Sequence, residues 1–240
     1  MEEPGEVELL QRHVRPLTRT QRLVSFLLAA AVVLAGTVAA RGADAEPAVE
    51  PADELPADLP ATLGAVLAQP GHRVTRDGKV LAEIWVLAAA PPTGGVNEGA
   101  LSVEYGALAS SALVGVVRFP EAWIDYREIE VPAGVYTMRY WVQPADGDHM
   151  GVSQYRDFLL LSPVADDADP TTEYEQEPLM ALSEKVSGKT HPAAMALFPI
   201  AEDPAGGAAI TKNDLDQLTL AVKGADRVYG FVLEGHGDLP

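Results

Sequence analysis

The clearest pattern in the chain is the alternation in residues 131–143, VPAGVYTMRYWVQ. Side chains in a strand point to opposite faces in turn. Tyr136, Met138, Tyr140 and Val142 therefore share one face, and Val135, Thr137, Arg139 and Trp141 share the other. Further β-prone runs surround this one. GHRVT and KVLAEIWVLAAA flank Arg76–Gly78 and predict a hairpin. ALSVEY (100–105), ALVGVVRF (112–119), REIEV (127–131) and DFLLLSP (157–163) read as strands. MALFPI (195–200) follows, and QLTLAVKG and RVYGFVLEG predict a last hairpin around Gly224–Asp226. Two segments break the pattern. ATLGAVLAQ allows a short helix before Pro70. EPLMALSEKVSGK spaces Leu179, Met180, Leu182 and Val186 at helical intervals and places Gly188 as the C-cap. Many short strands with Gly and Pro turns and one clear helix predict a mainly β protein, an antiparallel β-sandwich or jelly roll.

The ends of the chain follow other rules. Arg12, Arg15, Arg19 and Arg22 precede an apolar run at 23–40, and the small residues Ala43 and Ala45 flank Asp44. A basic region, an apolar core and a small-residue site read as a secretory signal, residues 1–45, cleaved after Ala45. The alternative is an uncleaved inner-membrane anchor through 23–40, a run close to the length a bilayer requires. Either way the domain lies outside the cytoplasm, in the periplasm or the extracellular space. Residues 46–60, EPAVEPADELPADLP, read as an acidic, extended, mobile linker, because Pro47, Pro51, Pro56 and Pro60 prevent a helix. A domain spanning 61–240 remains, with length enough for one full core. The acidic stretch ADDADPTTEYEQE before the helix reads as a solvated loop.

The segment VPAGVYTMRY resembles the Pro-Ala-Gly-x-Tyr strand entry of several exported bacterial β-sandwich families, including domains of unknown function and transthyretin-like modules. VNEGALSVEY (96–105) is similar to the Asn-Glu strand of one such uncharacterised family. The resemblance implies a fold and an exported location, and it carries over no catalytic residue. In this signature Pro132 fixes φ, Gly134 is expected to turn with φ above zero, and Tyr136 packs as the strand begins.

Charge and composition narrow the chemistry. The formal net charge is −18, and the residues before Glu46 contribute five bases and five acids to it, so the domain carries all of it. Such a surface repels phosphate backbones and anionic lipid, which argues against nucleic-acid partners and against membrane binding beyond the signal segment. A glycan, a peptide or an envelope protein is compatible with it. With no cysteine in the chain, disulfides, thiol nucleophiles and thiolate metal sites are excluded.

Three candidate sites follow. In DGDHMG-VSQYRD, Asp146, Asp148, Gly151 and Asp157 occupy positions 1, 3, 6 and 12 of a calcium loop. Position 5 is Met150, and the flanks read as strands rather than the helices of an EF-hand. An ordinary Asp/Gly turn is the competing reading. His149, His191 and His236 each fall near the end of an element, so zinc or copper is a second possibility, although no pair has the spacing that fixes two ligands on one element. Trp141, Arg139 and Trp123 could form a sugar-stacking platform, against the competing reading that aromatics in strands pack in the core. GVSQY is not a nucleophile elbow, and GGAAITK lacks the Gly-Lys-Ser/Thr of a phosphate cradle. The leading function is a non-enzymatic binding or structural module of the cell envelope, with a metal-binding protein and an envelope hydrolase as alternatives.

Overall fold

The computed structural model describes residues 46–95, 97–146, 149 and 153–235. The signal or anchor segment 1–45, Asp148 and His236 lie outside the described residues. Among the described residues, no helix is long and apolar enough to cross a membrane.

The strands are β1 (Ala48–Ala52), β2 (Gly71–Arg76), β3 (Lys79–Val86), β4 (Leu113–Phe119), β5 (Trp123–Ile124), β6 (Glu130–Val131), β7 (Gly134–Val142), β8 (Asp157–Pro163), β9 (Ala194–Ala196), β10 (Ala208–Lys212), β11 (Leu218–Lys223) and β12 (Val228–Glu234). The helices are α1 (Ala61–Gly64) and α2 (Gln176–Ser187). Seven strands form an antiparallel sheet in the order β1-β2-β3-β4-β7-β8-β9; a second sheet has the order β10-β11-β12, and β5-β6 is a small separate hairpin. A bridge between Leu197 and Phe231 links the two larger sheets on one side, and β10 runs beside β1 on the other. The result is the expected mainly β, antiparallel sandwich.

The alternation in β7 explains the layering. Tyr136, Met138, Tyr140 and Val142 join Ile84, Leu159, Leu161, Leu220 and Phe231 in the core between the sheets. The opposite face of the large sheet is also covered. The 52–68 segment, with α1, packs Leu63 and Leu67 on Trp85, Leu113, Val116 and Val135. Helix α2 lays Leu179 and Met180 over Phe158, Leu160 and Trp141. Gly188 ends α2 at φ 63°, as its position implied, and caps the Glu184 carbonyl. The β2–β3 turn has Asp77 at φ 53° and Gly78 at φ 75°, the signs a two-residue type I′ hairpin needs.

Several expectations change. Residues 48–52 are extended, as the prolines imply, but they are a paired edge strand on β2 and Ala52 is buried. Pro51 is tolerated there because an edge strand has one row of unpaired amides. Residues 100–105 form turns instead of a strand, with Ser102 at φ 57°. The Glu104 and Tyr105 amides donate to the Asp157 carboxylate, so no neighbouring strand receives them. The GGAAITK segment, which carries no strand expectation, contributes β10.

Gly134 is corrected as well. Its φ is not positive. Glycine is needed because a Cβ there would lie 2.8 Å from the Tyr136 hydroxyl oxygen and 3.0 Å from its Cζ. That hydroxyl donates to the Pro132 carbonyl at 2.7 Å, folding the ring back over the glycine. Gly134→Ala is therefore expected to cost about 1–3 kcal/mol, the usual range for overpacking. In a Tyr136→Leu background the same change should cost much less. Equal losses in both backgrounds, measured by urea unfolding, would exclude the steric explanation.

Candidate functional site

A groove of about 290 Å³ opens between α2 and the outer face of β7, β8 and β9. Its floor is apolar. Phe158 and Leu160 alternate outward from β8, Trp141 outward from β7, and Met180 faces them from α2. Tyr126 closes one side, its ring centroid 4.9 Å from that of Phe158. The helix is held at this height by its own backbone and Ser183: the buried Ser183 hydroxyl donates to the Ala193 carbonyl at 2.6 Å, and the Ala193 amide donates to the Ser183 carbonyl at 3.3 Å.

The rim is polar. Gln143, His149, Glu184 and His191 line it. His191 follows α2 in a loop pinned by Ser187, whose hydroxyl donates to the His191 carbonyl at 2.6 Å. The His191 Nδ1 lies 3.1 Å from the Pro192 carbonyl oxygen. His149 places Nδ1 2.6 Å from Asp146 Oδ1. Burial, and then the positive charge of Arg127, lowers the His191 pKa below its ordinary 6.5, so the ring is neutral at pH 7. Near it, the buried Asp125 accepts from the Arg127 and Ile129 amides through Oδ1, while Oδ2 has no hydrogen-bond partner among the described residues. Burial raises the Asp125 pKa against those amides and the nearby Ala194 amide.

This arrangement brings together three of the residues singled out in the sequence: Trp141, His149 and His191. Asp146 stands behind His149, whereas Asp157, Arg139 and Trp123 lie elsewhere. Asp157 opens β8 and turns into the fold, fully buried; it accepts from the Glu104 and Tyr105 amides at 2.7 and 3.1 Å and from the Tyr140 hydroxyl at 2.6 Å. Its carboxylate is committed to the core side of the strand and does not close a calcium loop with Asp146. Among the described residues, no group of three or more His, Asp or Glu is placed to hold a metal ion.

Arg139 is also corrected. It is on the outer face of β7, as the alternation requires, but it is 1 % exposed and unavailable as a sugar platform. The acidic loop after β8, expected to be solvated, covers it and supplies the buried Asp167 as its partner. Trp123 lines a separate cavity of about 350 Å³ with Leu81, Ile124 and Leu233. It stacks on Phe119 at a centroid distance of 4.7 Å, and its Nε1–H donates to the Leu233 carbonyl at 2.7 Å. Trp141 and Trp123 therefore do not share a surface. Tyr126, Gln143, Met180 and Glu184 also line the groove, and no sequence signal marks them beyond the helical spacing of Met180.

The fold and the site together define a β-sandwich with an aromatic-floored groove under the helix α2. Comparison with protein-family models, curated proteins and solved structures finds no match.

Proposed function

We propose that the chain is an exported, non-enzymatic binding module whose ligand site is the groove under α2. The supporting observation is the groove itself: an apolar floor of Trp141, Phe158 and Leu160 with a few polar groups at its rim, the composition that small-molecule sites share. Export rests on the basic, apolar and small-residue pattern of 1–45, with the domain either released after Ala45 or held by that segment. The uneven charge, −18 on the part beyond it, suits a soluble envelope component. A binding reading is favoured over nucleophilic hydrolysis because, among the described residues, no serine or threonine hydroxyl is in hydrogen-bond contact with the ring of either groove histidine, whose Nδ1 atoms face Asp146 and Pro192.

The test uses N-phenyl-1-naphthylamine, a neutral fluorophore whose emission rises in an apolar site. Saturable binding is expected. Trp141→Ala should weaken it at least tenfold, a loss of about 1.4 kcal/mol. Leu101→Ala, at a residue 86 % exposed whose side chain is not part of the groove lining, should leave it unchanged. No saturable binding, or equal binding in all three proteins, would sink the reading.

A further inference from the structure

The groove histidines carry information about the ligand's polar end. Pro192 contributes a carbonyl oxygen and Asp146 a carboxylate oxygen, and both only accept hydrogen bonds. Each Nδ1 must therefore be the protonated nitrogen. In the neutral ring, Nε2 is then a lone pair, and it is the one ring nitrogen left for a ligand. Two imidazoles on one groove are thus set as hydrogen-bond acceptors, not as one donor and one acceptor. The two rings lie on the lining of the same groove.

The surrounding charges have the same preference. Glu184 lines the groove from α2, Asp146 backs His149, and the buried Asp125 lies beside His191. Arg127 is the cation acting on His191. The groove receives Trp141 from β7, the neutral Gln143 from just past its end, and Tyr126 from the β5–β6 connection. Aromatic faces attract cations. Two acceptors, a carboxylate and aromatic rings on an acidic protein complement a positively charged donor on an apolar body.

We propose that the groove selects a small arylalkyl ammonium ion, whose N–H groups meet the Nε2 atoms of His149 and His191 while its ring lies on Trp141. This rests on reading the groove as the ligand site. An amine would bind in the range where it is protonated and the His191 imidazole is neutral. Acid removes this on the protein side: protonation converts the His191 Nε2 to a donor and makes the ring repel the ammonium group. For His191 this loss comes below pH 6.5, because its pKa is lowered by burial and Arg127.

The experiment is displacement of N-phenyl-1-naphthylamine from the full chain by three ligands of one size: 2-phenylethylamine, 2-phenylethanol and 3-phenylpropionate. At pH 8 the amine is expected to compete at least tenfold better than the carboxylate, with the alcohol between them. Between pH 8 and pH 5 the amine's advantage should fall by tenfold or more. His149→Phe/His191→Phe should abolish the ranking and its pH dependence while keeping the fluorophore bound. Three results would overturn the proposal: the carboxylate matching the amine, a ranking unchanged by pH, or a ranking unchanged by the double substitution. If the fluorophore binds but none of the three competes, the amine inference fails and the groove reading stands. If the fluorophore itself does not bind, both fail.

Discussion

Asp167→Ala is expected to destabilise the domain by about 3–5 kcal/mol, the range for leaving a buried charge without its partner. The Arg139 guanidinium is sealed under the 164–175 loop and each of its five N–H groups has an acceptor. Nε and Nη2 donate to the two Asp167 oxygens at 2.7 and 2.8 Å. The other three bonds go to the carbonyls of Ser111, Thr172 and Asp169 at 2.9, 2.8 and 3.0 Å. Asp167 is equally occupied, since it also accepts from the Thr137 hydroxyl at 2.6 Å and from Tyr174 at 3.0 Å. The Tyr174 ring lies against the guanidinium, 4.8 Å from its carbon. Removing the carboxylate leaves a cation, a threonine and a tyrosine without their acceptor in a dry site. For a domain of this size each kcal/mol moves the midpoint by about 2–4 °C, so a fall of roughly 6–20 °C should appear in a thermal melt. Arg139→Met/Asp167→Leu should recover much of it, because apolar replacements need no partner. A single-mutant loss under about 1 kcal/mol would mean that water reaches the pair. Strict additivity of the two sites would mean that they do not interact.

This cluster also shows where reading the sequence reaches its limit. Alternation placed Arg139 on the outer face of β7 correctly, but parity says nothing of what covers a face. Asp166, Asp167 and Asp169 are indistinguishable by composition; only the path of the loop after β8 buries the second of them and leaves Asp166 exposed to pair with Lys185. The helix, by contrast, was legible to its last residue, since periodicity and a C-cap glycine are local signals. So was the β2–β3 hairpin. The 100–105 segment misled because its alternating pattern is that of a strand, while its amides are taken by a carboxylate 52 or 53 residues away. The groove was half legible. Trp141, His149 and His191 could each be singled out as chemistry-bearing. Their convergence depends on β8 and β9 pairing as neighbours, with the acidic loop and α2 as the excursion between them.

Asp157→Ala is expected to rank with Asp167→Ala, at about 3–5 kcal/mol if each buried donor it strands costs about 1–3 kcal/mol with partial relaxation. The carboxylate is 0 % exposed and ties three segments together: it opens β8, receives the Tyr140 hydroxyl from β7, and captures the Glu104 and Tyr105 amides of the 97–110 loop. Burial pushes the Tyr140 hydroxyl well above its ordinary pKa, and the bond to Asp157 adds to this, so the tyrosine remains a donor across the whole working range. Tyr105 then extends the tether. Its hydroxyl reaches the Phe198 carbonyl at 3.0 Å and accepts from the Gly230 amide at 3.1 Å, fastening the same loop to β12. Asp157→Asn separates charge from shape. An amide oxygen can replace Oδ1 toward Tyr105 and Tyr140, but its NH2 group then faces the Glu104 amide, donor against donor. The expected cost is one unsatisfied pair, about 1–3 kcal/mol. Urea unfolding orders the variants: wild type, then Asn, then Ala. Calcium supplies the contrast, because a residue that closed a calcium loop would lose stability only where the metal is present. Equal losses with calcium and with chelator are the expected result. A loss confined to calcium-containing buffer would return Asp157 to the loop that its sequence position suggested.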